Sequence, residues 1–230
     1  MYHKFSAKQA DAMTVTTAQL SNHLEVLTTK GFEFITVGDW LSYIYQGVAL
    51  PRRPVLLTFD DAYASCLTLA YPVLKAFGAR ATLFVPTAYV GSTSSWDTDA
   101  APLLTVEELR RLDPAVFELA LHTHKHLSYG QASATEMAND LGACIAFFDD
   151  QNLPFVRALA YPYGSRPAEP STYKEMVRMF QMNDIQAAFR IGNRINPLMP
   201  KNLYEINRLD IRGSDSLFTF RRKLWIGRLL

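Results

Sequence analysis

The chain has 230 residues, 49% hydrophobic and 20% charged, a globular profile with length for one α/β-barrel domain or two smaller units. Its 23 Lys and Arg against 22 Asp and Glu leave a formal charge of +1, so composition makes no strong electrostatic case for nucleic acid or an anionic membrane as partner. Two cysteines give no disulfide framework, and no apolar run approaches the ~20 residues of a membrane-spanning helix.

At the N-terminus no charged stretch leads into an apolar one, so no signal peptide is visible. Leu20, Leu24 and Leu27 recur at helical spacing within 16–30, and Gly31 is a good C-terminal stop. Residues 32–37 read as a short strand, 39–45 as a short helix and 51–54 as a loop. The continuous apolar run Val55-Leu-Leu-Thr-Phe59 predicts a strand buried on both faces. A helix over 64–77 follows, holding Cys66 and ended by Gly78, and then a strand over 81–85. Thr105 with Glu108 forms a capping box that starts the next helix. A strand over 117–121, a helix over 135–149 holding Cys144, and a strand over 156–161 come next. Both cysteines sit among small and apolar residues and read as buried, reduced thiols. A helix over 171–181, strands over 185–189 and 204–208, and a helix from about 214 complete the chain. Arg221, Arg222, Lys223 and Arg228 in that last helix read as a solvated face. No repeat or long linker interrupts this β-α-β-α order, which builds a parallel sheet closed, or nearly closed, into a barrel.

In such folds chemistry sits at the C-terminal ends of strands, and three predicted strands run straight into polar groups. These are Thr58-Phe59-Asp60-Asp61, then His122-Thr-His-Lys-His126, then Ala160-Tyr-Pro-Tyr-Gly164. An Asp pair after a strand is often a turn or a helix cap, and a lone His there is usually structural. Here, however, three of the chain's five histidines fall within five residues after one strand. His122 and His126 are four apart, so one helical turn would put both imidazoles on one side, as a divalent metal requires. A carboxylate from another strand end would complete the ligand set. A second Asp beside it could take a proton from the attacking water. Zinc suits these ligands, and cobalt, nickel, manganese or iron also fit. Trp96 and Asp97 lie in a polar loop, where the indole either stacks on a sugar or anchors the loop.

TFDD after a buried strand, HTxxH after a later one and a Pro-Tyr-Gly turn after a third resemble the polysaccharide deacetylase family. This is the NodB-homology group, carbohydrate esterase family 4, and the likeness runs from Tyr2 to about Arg212. It implies a distorted (β/α) barrel of about seven parallel strands, here taken as one domain over 1–230. It also implies metal-dependent removal of N-acetyl groups from an amino-sugar oligo- or polysaccharide, releasing acetate. Carried over by motif, Asp60 is the general base, Asp61, His122 and His126 hold the metal, and Thr123 orients a metal-binding histidine. Tyr163 lies beside the acetyl group with its backbone N–H toward the oxyanion, Pro162 shapes the same wall, and His124 matches no ligand position.

Two positions depart from the family pattern. The Arg that usually opens the third motif and bonds the catalytic Asp is Ala160 here, and Arg208 is the substitute expected, with a plain structural ion pair as the alternative. The C-terminal Leu-x-His motif that supplies the general acid is missing. The opening Met1-Tyr2-His3 instead resembles the poly-N-acetylglucosamine deacetylase branch, whose acid histidine comes from the N-terminal strand, and His3 is expected to protonate the leaving amine. A carbohydrate-binding pseudoenzyme and a deacylase of a non-sugar amide are the rival readings. Family members are often secreted or held in the cell envelope, which leaves the compartment open.

Overall fold

The computed structural model describes residues 1–227, so Arg228 lies outside the described residues. Six parallel strands form the main sheet in the order β10-β9-β8-β7-β6-β5. They are β5 (Thr58–Phe59), β6 (Ala81–Val85), β7 (Phe117–Leu121), β8 (Ala158–Ala160), β9 (Ala187–Ile191) and β10 (Ile206–Arg208). Two short parallel pairs lie outside it, β1 (Lys4–Ser6) with β2 (Thr14–Thr16), and β3 (Glu33–Ile35) with β4 (Pro54–Leu56). The count of about seven strands therefore resolves into a six-stranded half-barrel with two satellites. The run at 55–59 is two strands, because β4 leaves the main sheet to pair with β3 and only Thr58 and Phe59 join β6.

The N-terminus fills the open edge. Tyr2 donates its N–H to the Thr58 carbonyl and accepts from the Asp60 N–H, both at 2.9 Å, while Ile211 donates to the Met1 carbonyl at 3.2 Å. Backbone at residues 1 and 2 thus bridges β5 to the segment after β10 and carries His3 to the barrel mouth. β1 and β2 escaped the sequence reading because three-residue strands show too little alternation to register.

The helices are α1 (Thr17–Thr29), α2 (Val37–Gln46), α3 (Tyr71–Ala76), α4 (Val106–Arg111), α5 (Ala134–Asp150), α6 (Pro170–Met182) and α7 (Leu217–Ile226). Capping boxes at Thr16, Thr36, Thr105 and Ser133 start four of them, each satisfying N–H groups that a helix start leaves unpaired. The helix expected over 64–77 begins instead as a π-helical turn at Cys66–Ala70 before α3. Both cysteines are buried free thiols.

Strands with apolar side chains on both faces serve two cores. Leu83, Leu121 and Leu159 face a large cluster under α1, α3, α5 and α6, whereas Phe84, Ala120, Ala158, Ala160 and Phe189 face α2 through Trp40 and Leu41. The alanines leave room for that helix inside the half-barrel. Its N-terminus is held by Glu118 of β7, whose carboxylate accepts from the Gly38 N–H at 3.0 and 3.1 Å. A Cβ at Gly38 would collide with that carboxylate, so a larger residue there would have to push the Glu118 side chain off the helix start.

Candidate metal centre

The polar groups flagged at the strand ends converge. Asp61 follows β5, His122 follows β7, and His126 lies four residues further on. Asp61 Oδ1 is 3.2 Å from both His122 Nε2 and His126 Nε2, and all three side chains are buried. The expected helical turn does not form. His122 to Ser128 is a loop without helix, turned by left-handed backbone at Thr123 (φ 64°) and His126 (φ 51°). Asp61, Ala62 and Tyr163 also have positive φ. Among the described residues, five of the eight non-glycine residues in that region therefore sit at this site, and the other three are Asn or Asp, which tolerate it. Such strain persists where surrounding structure over-determines it, typically at functional sites.

Each imidazole is held from behind. His122 Nδ1 lies 2.8 Å from the Ala160 carbonyl, which fixes the ring and turns Nε2 inward. His126 stacks on Trp96 with ring centroids 4.0 Å apart and an interplanar angle of 16°. Its Nδ1 lies 3.2 Å from the Tyr163 hydroxyl. Trp96 is thus half-buried, with its ring packed against a histidine. Thr123 bonds no histidine; its hydroxyl accepts the Leu127 N–H at 2.9 Å and ties the loop. Asp140 of α5, unremarked in the sequence, accepts the His124 and Lys125 N–H groups at 2.9 Å each. Its signal was a carboxylate at a buried position of an amphipathic helix. His124 packs half-buried against the Thr87 hydroxyl at 2.9 Å and faces away from the cluster.

Asp60 is buried beside Asp61 and accepts two bonds from Arg208, at 2.6 and 2.7 Å. The guanidinium of β10 thus bonds the carboxylate that an arginine at the position of Ala160 was expected to bond. Burial alone would raise the Asp60 carboxyl, but Arg208, His122 and His3 outweigh it and hold it below its ordinary range. Burial opposes ionisation of Asp61 too, yet the two imidazoles keep it far below the carboxylate range. Burial would depress His122, but Asp61 and Asp60 raise it, whereas burial wins at His126 and lowers it. Tyr163 stands at the rim with 60% of its surface exposed, and Pro162 is buried beneath it.

The sequence profile of the polysaccharide deacetylase family matches residues 47–179, more than half of the chain and a span holding Asp60, Asp61, His122, His126 and Tyr163. The chain belongs to the polysaccharide deacetylase family. His3 and Arg208 lie outside the matched span. Among curated deacetylases, the poly-β-1,6-N-acetyl-D-glucosamine N-deacetylase of Staphylococcus aureus strain MRSA252 is 26% identical over 170 residues, covering 71% of this chain and 58% of that protein. The chain thus spans under two thirds of the length of such relatives. Two solved structures share the deacetylase fold. Streptococcus pyogenes deacetylase PplD, in complex with acetate, superposes with a TM-score of 0.79 at 20% identity, covering 97% of this chain and 95% of that one. IcaB from Ammonifex degensii gives 0.76 at 19% identity over 97% and 94%.

Deacetylases of this family use a divalent metal, and the residues present fit one. Asp61 Oδ1 is buried with no hydrogen-bond partner among the described residues, a costly state unless something else satisfies it. One ligand atom from each of Asp61, His122 and His126 lies within 4.8 Å of the others. The two separations of 3.2 Å from Asp61 Oδ1 approach the ~3.3 Å edge of a tetrahedron with metal–ligand bonds of ~2.0 Å.

Proposed function

We propose that the chain hydrolyses N-acetyl groups on an N-acetylated amino-sugar oligo- or polysaccharide, releasing acetate, with residues 1–230 acting as one catalytic domain. The observation that carries this reading is the Asp61–His122–His126 cluster lying next to a second buried carboxylate, Asp60, locked by Arg208. Asp61, His122 and His126 hold the cation, with zinc first choice for two imidazoles and a carboxylate, and cobalt, nickel, manganese or iron as alternatives. When bound, such a cation polarises the acetyl carbonyl and lowers the pKa of water from about 15.7 to about 7.

The rest belongs to side chains and backbone. Asp60 accepts the proton of the attacking water at a carboxylate oxygen, and Arg208 keeps that carboxylate ionised and oriented. The Tyr163 N–H donates to the oxygen that becomes negative as water adds. His3, carried to the mouth beside β5, gives a proton to the departing nitrogen as the C–N bond breaks, so the amine leaves neutral and the acyl group leaves as acetate.

The test is acetate release from poly-β-1,6-N-acetylglucosamine oligomers, chitooligosaccharides and a panel of non-sugar acetamides. Asp60→Asn is expected to cut turnover by about 10²–10⁴-fold while metal content stays at that of the parent protein. No release from any glycan would favour a carbohydrate-binding pseudoenzyme, and release from non-sugar amides alone would reassign the substrate.

A further inference from the structure

The balanced net charge conceals a segregation. The segments 40–59, 185–204 and 216–230 contain nine of the chain's 23 Lys and Arg and none of its 22 Asp and Glu. They also hold nine of the eleven large apolar side chains left exposed among the described residues. Far apart in sequence, these segments share the lining of one largely apolar cavity of about 520 Å³ at the seam of the half-barrel, through Arg53, Val55, Ile195, Leu198 and Leu224. Gly227, just past α7, lies so close to the 185–204 segment that a Cβ there would come within 2.5 Å of the Asn193 carbonyl oxygen. Arg53 and Lys30 sit over the Trp225 ring at 5.7 and 5.5 Å from its centroid.

α7 shows the pattern most clearly. Phe220 and Lys223 turn inward, Lys223 toward the Asp210 carbonyl and Asp215. Phe218, Arg221, Arg222 and Trp225 follow one another at helical spacing of three and four along the outer face. Phe218 is 73% exposed and Trp225 56%, and both arginines are exposed. Beside this helix, the 192–203 loop exposes Ile195 and Met199 between Arg194 and Lys201. None of Arg52, Arg53, Arg194, Lys201, Arg221 and Arg222 has an acidic partner among the described residues, whereas Arg190 in the same segment is paired with Glu205.

We propose that this face docks on an anionic membrane surface. Phe218, Trp225, Ile195 and Met199 enter the boundary between headgroups and acyl chains, and the arginines meet lipid phosphates. Two chemistries in one patch point to this partner. Exposed Ile, Met and Phe gain from hydrocarbon, which a nucleic acid or a soluble polyanion does not offer. A second copy of the same surface would set like charges against one another.

The experiment is co-sedimentation of the full chain with phosphatidylcholine vesicles, with and without phosphatidylglycerol. Binding is expected only to the anionic vesicles and should weaken as salt rises. Arg221→Gln with Arg222→Gln removes two cations worth about 1 kcal/mol each near such a surface, about a thirtyfold loss of affinity together. Phe218→Ser with Trp225→Ser should also release the protein, while Arg110→Gln with Arg111→Gln on α4 should not. Thermal unfolding of each variant separates lost docking from lost folding. Equal partitioning onto neutral and anionic vesicles, binding to neither, or anionic binding that survives both patch variants would overturn the proposal. So would light scattering that shows a dimer dissociated by Phe218→Ser.

Discussion

Arg208 has to do two things for Asp60, and different substitutions separate them. Its fork supplies two parallel hydrogen bonds to a buried carboxylate, and it balances a charge that would otherwise be stranded. Lysine keeps the charge but offers a point donor instead of a fork. Arg208→Lys should therefore lower kcat at least tenfold, with metal content and folding close to those of the parent protein. Arg208→Met leaves Asp60 uncompensated and should cost about 3–5 kcal/mol of stability, read by urea unfolding. Equal activity in Arg208→Lys would reduce the pair to a structural one. The residues of this centre were legible in unequal measure. Asp60, Asp61, His122 and His126 stood out because chemistry concentrates them in two short motifs. Arg208 emerged only by asking what replaces the arginine lost at Ala160. The Ala160 carbonyl behind His122 and the Trp96 ring behind His126 had no signature, since a backbone acceptor and a packed indole look the same in sequence whatever they touch.

At the level of elements, what sequence periodicity conveys is a run's apolar character, and what it omits is which sheet the run joins. Val55 to Phe59 is uninterrupted and apolar, yet the chain changes partner at Leu57, because β4 serves the small pair with β3 and β5 serves the barrel. A spacing of four between His122 and His126 likewise suggested a helical turn, and the same convergence is reached by a loop with two left-handed residues. Such a loop cannot hold itself, since no helix ladder satisfies its N–H groups. Asp140 takes over that task from α5, with one carboxylate oxygen on the His124 N–H and the other on the Lys125 N–H. Asp140→Ala should loosen the histidine loop and weaken metal binding by about 10–100-fold, the usual cost of losing an outer support. Competition with a chromophoric chelator measures this without any substrate. Unchanged metal affinity would mean that Thr123 and the strand ends suffice to hold the loop.

For the whole molecule, the distant ends of the chain meet around His23. This buried residue of α1 has Nδ1 3.2 Å from the Tyr2 hydroxyl and stacks on Phe220 of α7 at 4.0 Å. Burial pushes its pKa from 6.5 down to about 4, with Asp215 pulling it back up and the N-terminal amine and Lys223 adding to the depression. The unfolded chain therefore binds more protons than the folded one between pH 6.5 and about 4, and stability rises with pH across that window. Its contribution is complete above pH 6.5 and is lost on acidification through the window, amounting to about 3 kcal/mol at full protonation. His23→Leu keeps an apolar side chain of similar size against Phe220 and removes the titration. Urea unfolding at pH 7, 6, 5 and 4.5 should show the parent protein losing stability more steeply than the variant. The gap between the two should narrow or reverse toward the acid end, because a neutral leucine has no proton to bind. Parallel curves for the two proteins would mean that His23 takes up its proton alike in the folded and unfolded chain, and that the acid limb of stability belongs to other groups.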